Sequence, residues 1–130
     1  MTAQKFYRHV LLEIGCASLG DARRATAAVF HALRDRLTPT EAEQAAAQLP
    51  RELKVLWWEG EADEARRPLK MHRREFYARV RNEAGLPSER QGRMVTGAVF
   101  AALKAQLSPG EADDIRTQLP KDLKVVWEDA

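Results

Sequence analysis

The amino-acid sequence predicts an all-α protein built as two tandem four-helix repeats packed into one pseudo-twofold helical bundle. Three observations predict it. Apolar residues recur at helical spacing, the chain aligns with itself without a gap at an offset of 70 positions, and no stretch of useful length alternates as a strand would.

The self-alignment carries the argument. Phe6, Tyr7, Val10 and Gly15 fall on Phe76, Tyr77, Val80 and Gly85. Val29, Phe30, Ala32, Leu33 and Leu37 fall on Val99, Phe100, Ala102, Leu103 and Leu107. Gln48-Leu49-Pro50 returns as Gln118-Leu119-Pro120, and Leu53, Lys54, Val55 and Trp57 return as Leu123, Lys124, Val125 and Trp127. Most matched positions are apolar, Gly or Pro, the types that set packing and backbone shape. The organisation expected is a first repeat over 1–60, a polar connector over 61–70 and a second repeat over 71–130.

Each repeat divides into four helices. The first, over about 3–14, places Phe6, Val10 and Ile14 on one face, and Gly15 stops it by accepting the left-handed C-cap conformation. The second opens at Ser18, an N-cap, and buries Thr26, Val29, Phe30, Leu33 and Leu37. In the second copy Ser88 and Gln91 form a capping box. The third helix opens with Thr38-Pro39-Thr40-Glu41, repeated as Ser108-Pro109-Gly110-Glu111. The hydroxyl caps, Pro takes the first helical position, and Glu41 is expected to reach back to the free cap amide. Pro50 and Pro120 separate the third helix from a short fourth one carrying Leu53, Leu56 and Trp57, or Leu123, Val126 and Trp127. The connector ends at Pro68, expected to start the fifth helix. Four helices this short bury one face well, so the second copy is expected to supply the other wall, apolar stripe against apolar stripe.

The order Phe-x-x-x-Val, Gly, Val-x-x-x-Leu, Leu-Ser/Thr-x-x-Glu-Ala and Gln-Leu-Pro-x-x-Leu occurs twice, on Phe6, Val10, Gly15, Val29, Leu33, Leu37, Glu41, Ala42, Gln48, Leu49, Pro50 and Leu53 and on their partners 70 positions later. In this the chain resembles the bacterial two-repeat helical proteins grouped as domain of unknown function family 2267. The resemblance covers nearly the whole chain. It implies a soluble helical protein and brings no activity, ligand or catalytic residue. Gly60 is followed by Glu61 here, where that family often has Gly-Trp.

Composition narrows the function classes. Lys and Arg number 21 against 19 Asp and Glu, a balance too even to announce a nucleic-acid or membrane partner. Cys16 is the single cysteine, so no intrachain disulfide forms, in keeping with a reducing compartment. The first ten residues are polar, without the apolar stretch of a signal peptide, and no apolar run approaches the ~20 residues of a membrane span. A cytoplasmic location is expected.

No Gly-rich phosphate loop, nucleophile elbow or Cys-x-x-Cys is present, so no catalytic residue and no cofactor is expected. His9-x-x-x-Glu13 and His31-x-x-x-Asp35 have the i, i+4 spacing of helix-surface ion pairs, and nothing supplies the further ligands a metal needs. Cys16 is expected as a partly buried structural thiol, and Gly92 and Gly97, inside the sixth helix, as points of close helix approach. The asymmetric feature is the basic stretch 66–81, with Arg66, Arg67, Lys70, Arg73, Arg74, Arg79 and Arg81. On one helix Arg67, Arg74 and Arg81 would align at seven-residue spacing with Lys70 nearby, a face that could grip phosphates, whereas Glu61, Asp63 and Glu64, or neighbouring helices, could instead pair with its cations. The third helices are acidic and Ala-rich, unlike recognition helices. Trp57 and Trp127 read as core. Trp58, whose counterpart is Glu128, is a candidate partner-contact residue.

The function expected is a non-enzymatic helical interaction or structural module, its partner another protein or a second copy of the chain. Contact is expected through Trp58, Arg67, Lys70, Arg74 and Arg81. The alternatives are a nucleic-acid or anionic-surface binder using 66–81, and a small-ligand pocket between the repeats.

Overall fold

A computed structural model describes residues 1–15, 18–60 and 66–130. Cys16, Glu61, Asp63 and Glu64, and the roles expected of them, lie outside the described residues. Eight helices and no strand form among the described residues: α1 Ala3–Ile14, α2 Leu19–Arg36, α3 Pro39–Ala47, α4 Arg51–Trp58, α5 Arg73–Ala84, α6 Glu89–Gln106, α7 Pro109–Gln118 and α8 Lys121–Asp129. Among the described residues no helix is long and apolar enough to cross a membrane.

The helix ends follow local chemistry. Ser18, Thr38, Ser88 and Ser108 each accept, through the side-chain oxygen, the amide hydrogen three residues on. Gly15 and Gly85 adopt φ of 64° and 68° at the ends of α1 and α5, where a Cβ would be strained. The connector departs from expectation. Pro68 starts no helix, and α5 begins at Arg73. The chain before it is held against α2 instead, because the Leu69 amide donates to the Asp35 carbonyl at 2.8 Å.

One apolar cluster runs through the whole molecule. At its centre are two ring triads, Phe6–Phe30–Trp57 and Phe76–Phe100–Trp127, each with tilted rings 4.9–5.7 Å apart. Helix α2 packs on α1, α4, α5 and α6, while α6 packs on α1, α5 and α8. Helix α3 meets α7. Gly92 explains part of the close fit, since a Cβ there would lie 2.8 Å from the Tyr77 carbonyl oxygen. Gly97 does not, because a Cβ there would meet nothing within 4 Å.

Candidate functional site

Three polar regions stand out against the apolar core. The first lies where α2 crosses α5. Asp35, near the end of α2, accepts from Arg34 Nε at 2.8 Å and from Arg79 Nη2 at 2.5 Å, and Arg66 Nε lies 3.9 Å away. Burial opposes ionisation of Asp35, but the hydrogen bonds and charges of Arg34 and Arg79 outweigh it and hold the carboxyl below its usual range. Arg66 also donates to the carbonyls of Arg34 at 2.6 Å, Leu37 at 3.0 Å and Asp35 at 3.3 Å. These are carbonyls of the last turn and C-cap of α2, where a cation is favourable.

His31 belongs to the same region and corrects an expectation. Its partner is Glu83 of α5, whose Oε2 lies 2.6 Å from Nδ1, and not Asp35. Nε2 donates to the Leu56 carbonyl at 2.8 Å. A buried residue of α2 thereby ties α4 to α5. The ion pair expected between His9 and Glu13 does not form either, and the buried His9 Nδ1 has no hydrogen-bond partner among the described residues.

The second region is a helix-end clamp that occurs twice. Arg34 Nη1 donates to the carbonyls of Trp57 at 2.8 Å and Glu59 at 2.9 Å. Lys104, its counterpart in the alignment, donates from Nζ to Trp127 at 2.8 Å and Ala130 at 2.9 Å. In both places a cation on the long helix satisfies the last carbonyls of the short one.

The third region is the α3–α7 seam. Glu41 was expected to bond back to the Thr38 amide. Instead, Thr38 N–H donates to Gln118 Oε1 at 2.9 Å, and Ser108 N–H donates to Gln48 Oε1 at 2.8 Å. The return bonds also form, from Gln48 Nε2 to Ser108 Oγ at 3.1 Å and from Gln118 Nε2 to Thr38 Oγ1 at 3.3 Å. Each glutamine caps the helix of the opposite half, which frees the two glutamates to turn inward. Glu41 and Glu111 are 6% and 7% exposed, and the Oε1 of each is shielded from water and receives no hydrogen bond from a donor among the described residues. Burial, then a hydrogen bond and charge repulsion from Glu41, then the charge of Asp114, push the Glu111 carboxyl up to about 8. Two facing carboxyls can bond only by sharing a proton.

The residues singled out from the sequence occupy other places. Trp58 is half-buried against the core. Arg67, Lys70 and Arg74 are exposed, and Arg81 is half-buried with its Nε donating to Asn82 at 3.3 Å. They do not form the expected single helical stripe, because Arg67 and Lys70 precede α5. Arg66 and Arg79, from the same stretch, turn inward to Asp35.

The chain matches the family model described as "Uncharacterized conserved protein (DUF2267)" over residues 3–126. The chain belongs to this family. Among curated proteins no relative matches. The DUF2267 match begins with α1 and ends inside α8, so the Asp35 cluster, the Arg34 clamp and the α3–α7 seam lie within the family's domain, while the carbonyls of Trp127 and Ala130 that Lys104 meets lie just beyond it. Sequence inspection missed the seam's role, although Gln48 and Gln118 offered a signal: a polar residue identical in both halves, just before a helix-breaking Pro.

Proposed function

We propose that this DUF2267 chain is a non-enzymatic structural or interaction module of the cytoplasm, in which tandem repeats over 1–60 and 71–130, joined by 61–70, pack as one pseudo-twofold bundle. The observation that carries the proposal is the reciprocal capping of Thr38 by Gln118 and of Ser108 by Gln48. A self-complementary exchange of this kind is what a twofold relation between two copies generates. The helix-end clamps of Arg34 and Lys104 support it in the same way. In each case polar groups shared by the two halves serve to join helices. The single cysteine supports a reducing compartment.

The test is affinity purification of the tagged chain from a bacterial lysate, with and without nuclease. A stoichiometric protein partner, or a second copy of the chain, that survives nuclease is expected. Recovery of nucleic acid, or of proteins lost on nuclease treatment, overturns the proposal.

A second reading is favoured by the exposure of Arg67, Lys70 and Arg74, which could meet phosphates. It is weaker because Arg66 and Arg79 are committed to Asp35. Charge reversal of Arg67, Arg74 and Arg81 decides it, since undiminished nucleic-acid binding would remove that reading.

A further inference from the structure

The reciprocal glutamine caps explain how α3 and α7 are joined, but not why two acidic side chains are buried between them. Glu41 and Glu111 are each more than nine-tenths buried, and each keeps an oxygen that meets neither water nor a donor among the described residues. The proton that Glu111 retains offsets the burial of this acid pair only in part, and replacing such groups by apolar ones is often neutral or stabilising. Packing alone therefore gives no reason for both to be acids. Asp114, one turn beyond Glu111 in α7, brings a third carboxyl to the same point. One oxygen from each of the three lies within 4.8 Å of the others.

That spread has a chemical meaning. Oxygens around a hard divalent cation lie at about 2.3–2.6 Å from Ca²⁺, so trans ligands are separated by roughly 5 Å and neighbouring ones by less. Three carboxylate oxygens within that limit share an ion with little movement of the side chains. The donor set is oxygen only, which suits Ca²⁺, Mn²⁺ or Mg²⁺ and not the softer, nitrogen- or sulfur-seeking metals. Asp114 is exposed, giving an entry path and room for the waters that complete the coordination. We propose that Glu41, Glu111 and Asp114 bind one hard divalent cation of the Ca²⁺ or Mn²⁺ class at the α3–α7 seam. The ion takes the place of the proton shared by the two buried carboxyls and clamps the two halves together. This inference stands on the carboxyl cluster and is independent of the proposed module function.

The experiment uses the full chain, stripped with chelator and held in alkaline buffer, titrated with MnCl₂ while free Mn²⁺ is read by electron paramagnetic resonance, and with CaCl₂ by calorimetry. One saturable site per chain is expected, with a Kd of about 10⁻³ M or tighter. Glu41→Gln and Glu111→Gln each abolish it, Asp114→Asn weakens it about tenfold, and Glu43→Gln, an exposed acid of α3, leaves it unchanged. Absence of saturable binding up to about ten times that Kd overturns the site, as does binding that survives both buried substitutions. If either buried variant fails to fold, Asp114→Asn decides, because unchanged affinity in that variant also overturns it.

Discussion

The two sides of the helical core share a packing scheme and differ in their polar chemistry. On one side α2 meets α5, and His31, Arg34, Asp35, Arg66, Arg79 and Glu83 knit the crossing together. On the other side α6 meets α1, and the positions matching His31 and Asp35 are Ala101 and Ala105. Glu13, the counterpart of Glu83, instead lines an open cleft of about 610 Å³ together with Gly97 and Ala101. The helices cross on both sides regardless. What sets the crossing is therefore the apolar residues the halves have in common, and the Asp35 cluster is an addition to one side. The clamps at Arg34 and Lys104 fall between these cases, with different cations performing one task.

The largest effect should be the same on both sides. Phe30→Ala and Phe100→Ala remove equivalent, fully buried rings, and each should cost about 3–5 kcal/mol in urea denaturation. Costs that differ by more than about 2 kcal/mol would break the equivalence of the two triads. Next, Asp35→Ala should cost about 2–3 kcal/mol, because it leaves the Arg34 and Arg79 guanidiniums without their carboxylate. Adding Arg79→Ala should then cost less than it does alone, by at least about 0.5 kcal/mol in a double-mutant cycle. Gln48→Ala and Gln118→Ala should each cost about 1 kcal/mol and match each other, since each removes the same cap from the opposite half.

Titration sharpens the contrast between Asp35 and the seam without disturbing the core. Asp35 has its carboxyl held below the ordinary 3.8, so its contribution is present above that value and is lost as the solution is acidified through its lower folded value. Glu111 is the reverse. In chelator-treated protein it keeps its proton to about 8 when folded but only to about 4.5 when unfolded, so its contribution to stability is complete below 4.5 and declines as pH rises toward 8. Asp35→Asn should flatten the acid limb of the stability curve, and Glu111→Gln the alkaline limb. Denaturant midpoints measured across the pH range check both.

Local signals made the helix ends legible. Ser and Thr caps, Gly15 and Gly85, and the Pro residues at 39, 50, 109 and 120 all act within a few residues of themselves. The buried stripes were legible for the same reason, since Phe6, Val10, Val29, Phe30 and Leu33 obey one helical period. What failed were pairings between distant elements. Glu41 has the spacing of a capping-box residue, and His31 has an acid four positions on. In both cases the partner came from the other half of the chain: Gln118 accepts from the Thr38 amide in place of Glu41, and Glu83 meets His31 in place of Asp35. Pro68 has the sequence of a helix start, but Arg66 and Leu69 gain more by bonding to the end of α2. The buried glutamate pair was visible only as two identical residues 70 positions apart, and nothing local distinguishes a repeated surface acid from a buried one.

Native-state hydrogen exchange of the amides in α2 and α6 tests most directly whether the two halves share one core. A shared core predicts that amides around Phe30 and Phe100 exchange through one global opening, with protection free energies equal within about 0.5 kcal/mol and falling together as denaturant is added. If the amides of one helix exchanged through a separate, lower-energy opening while the other stayed protected, the halves would be independent units and the single-bundle description would be wrong.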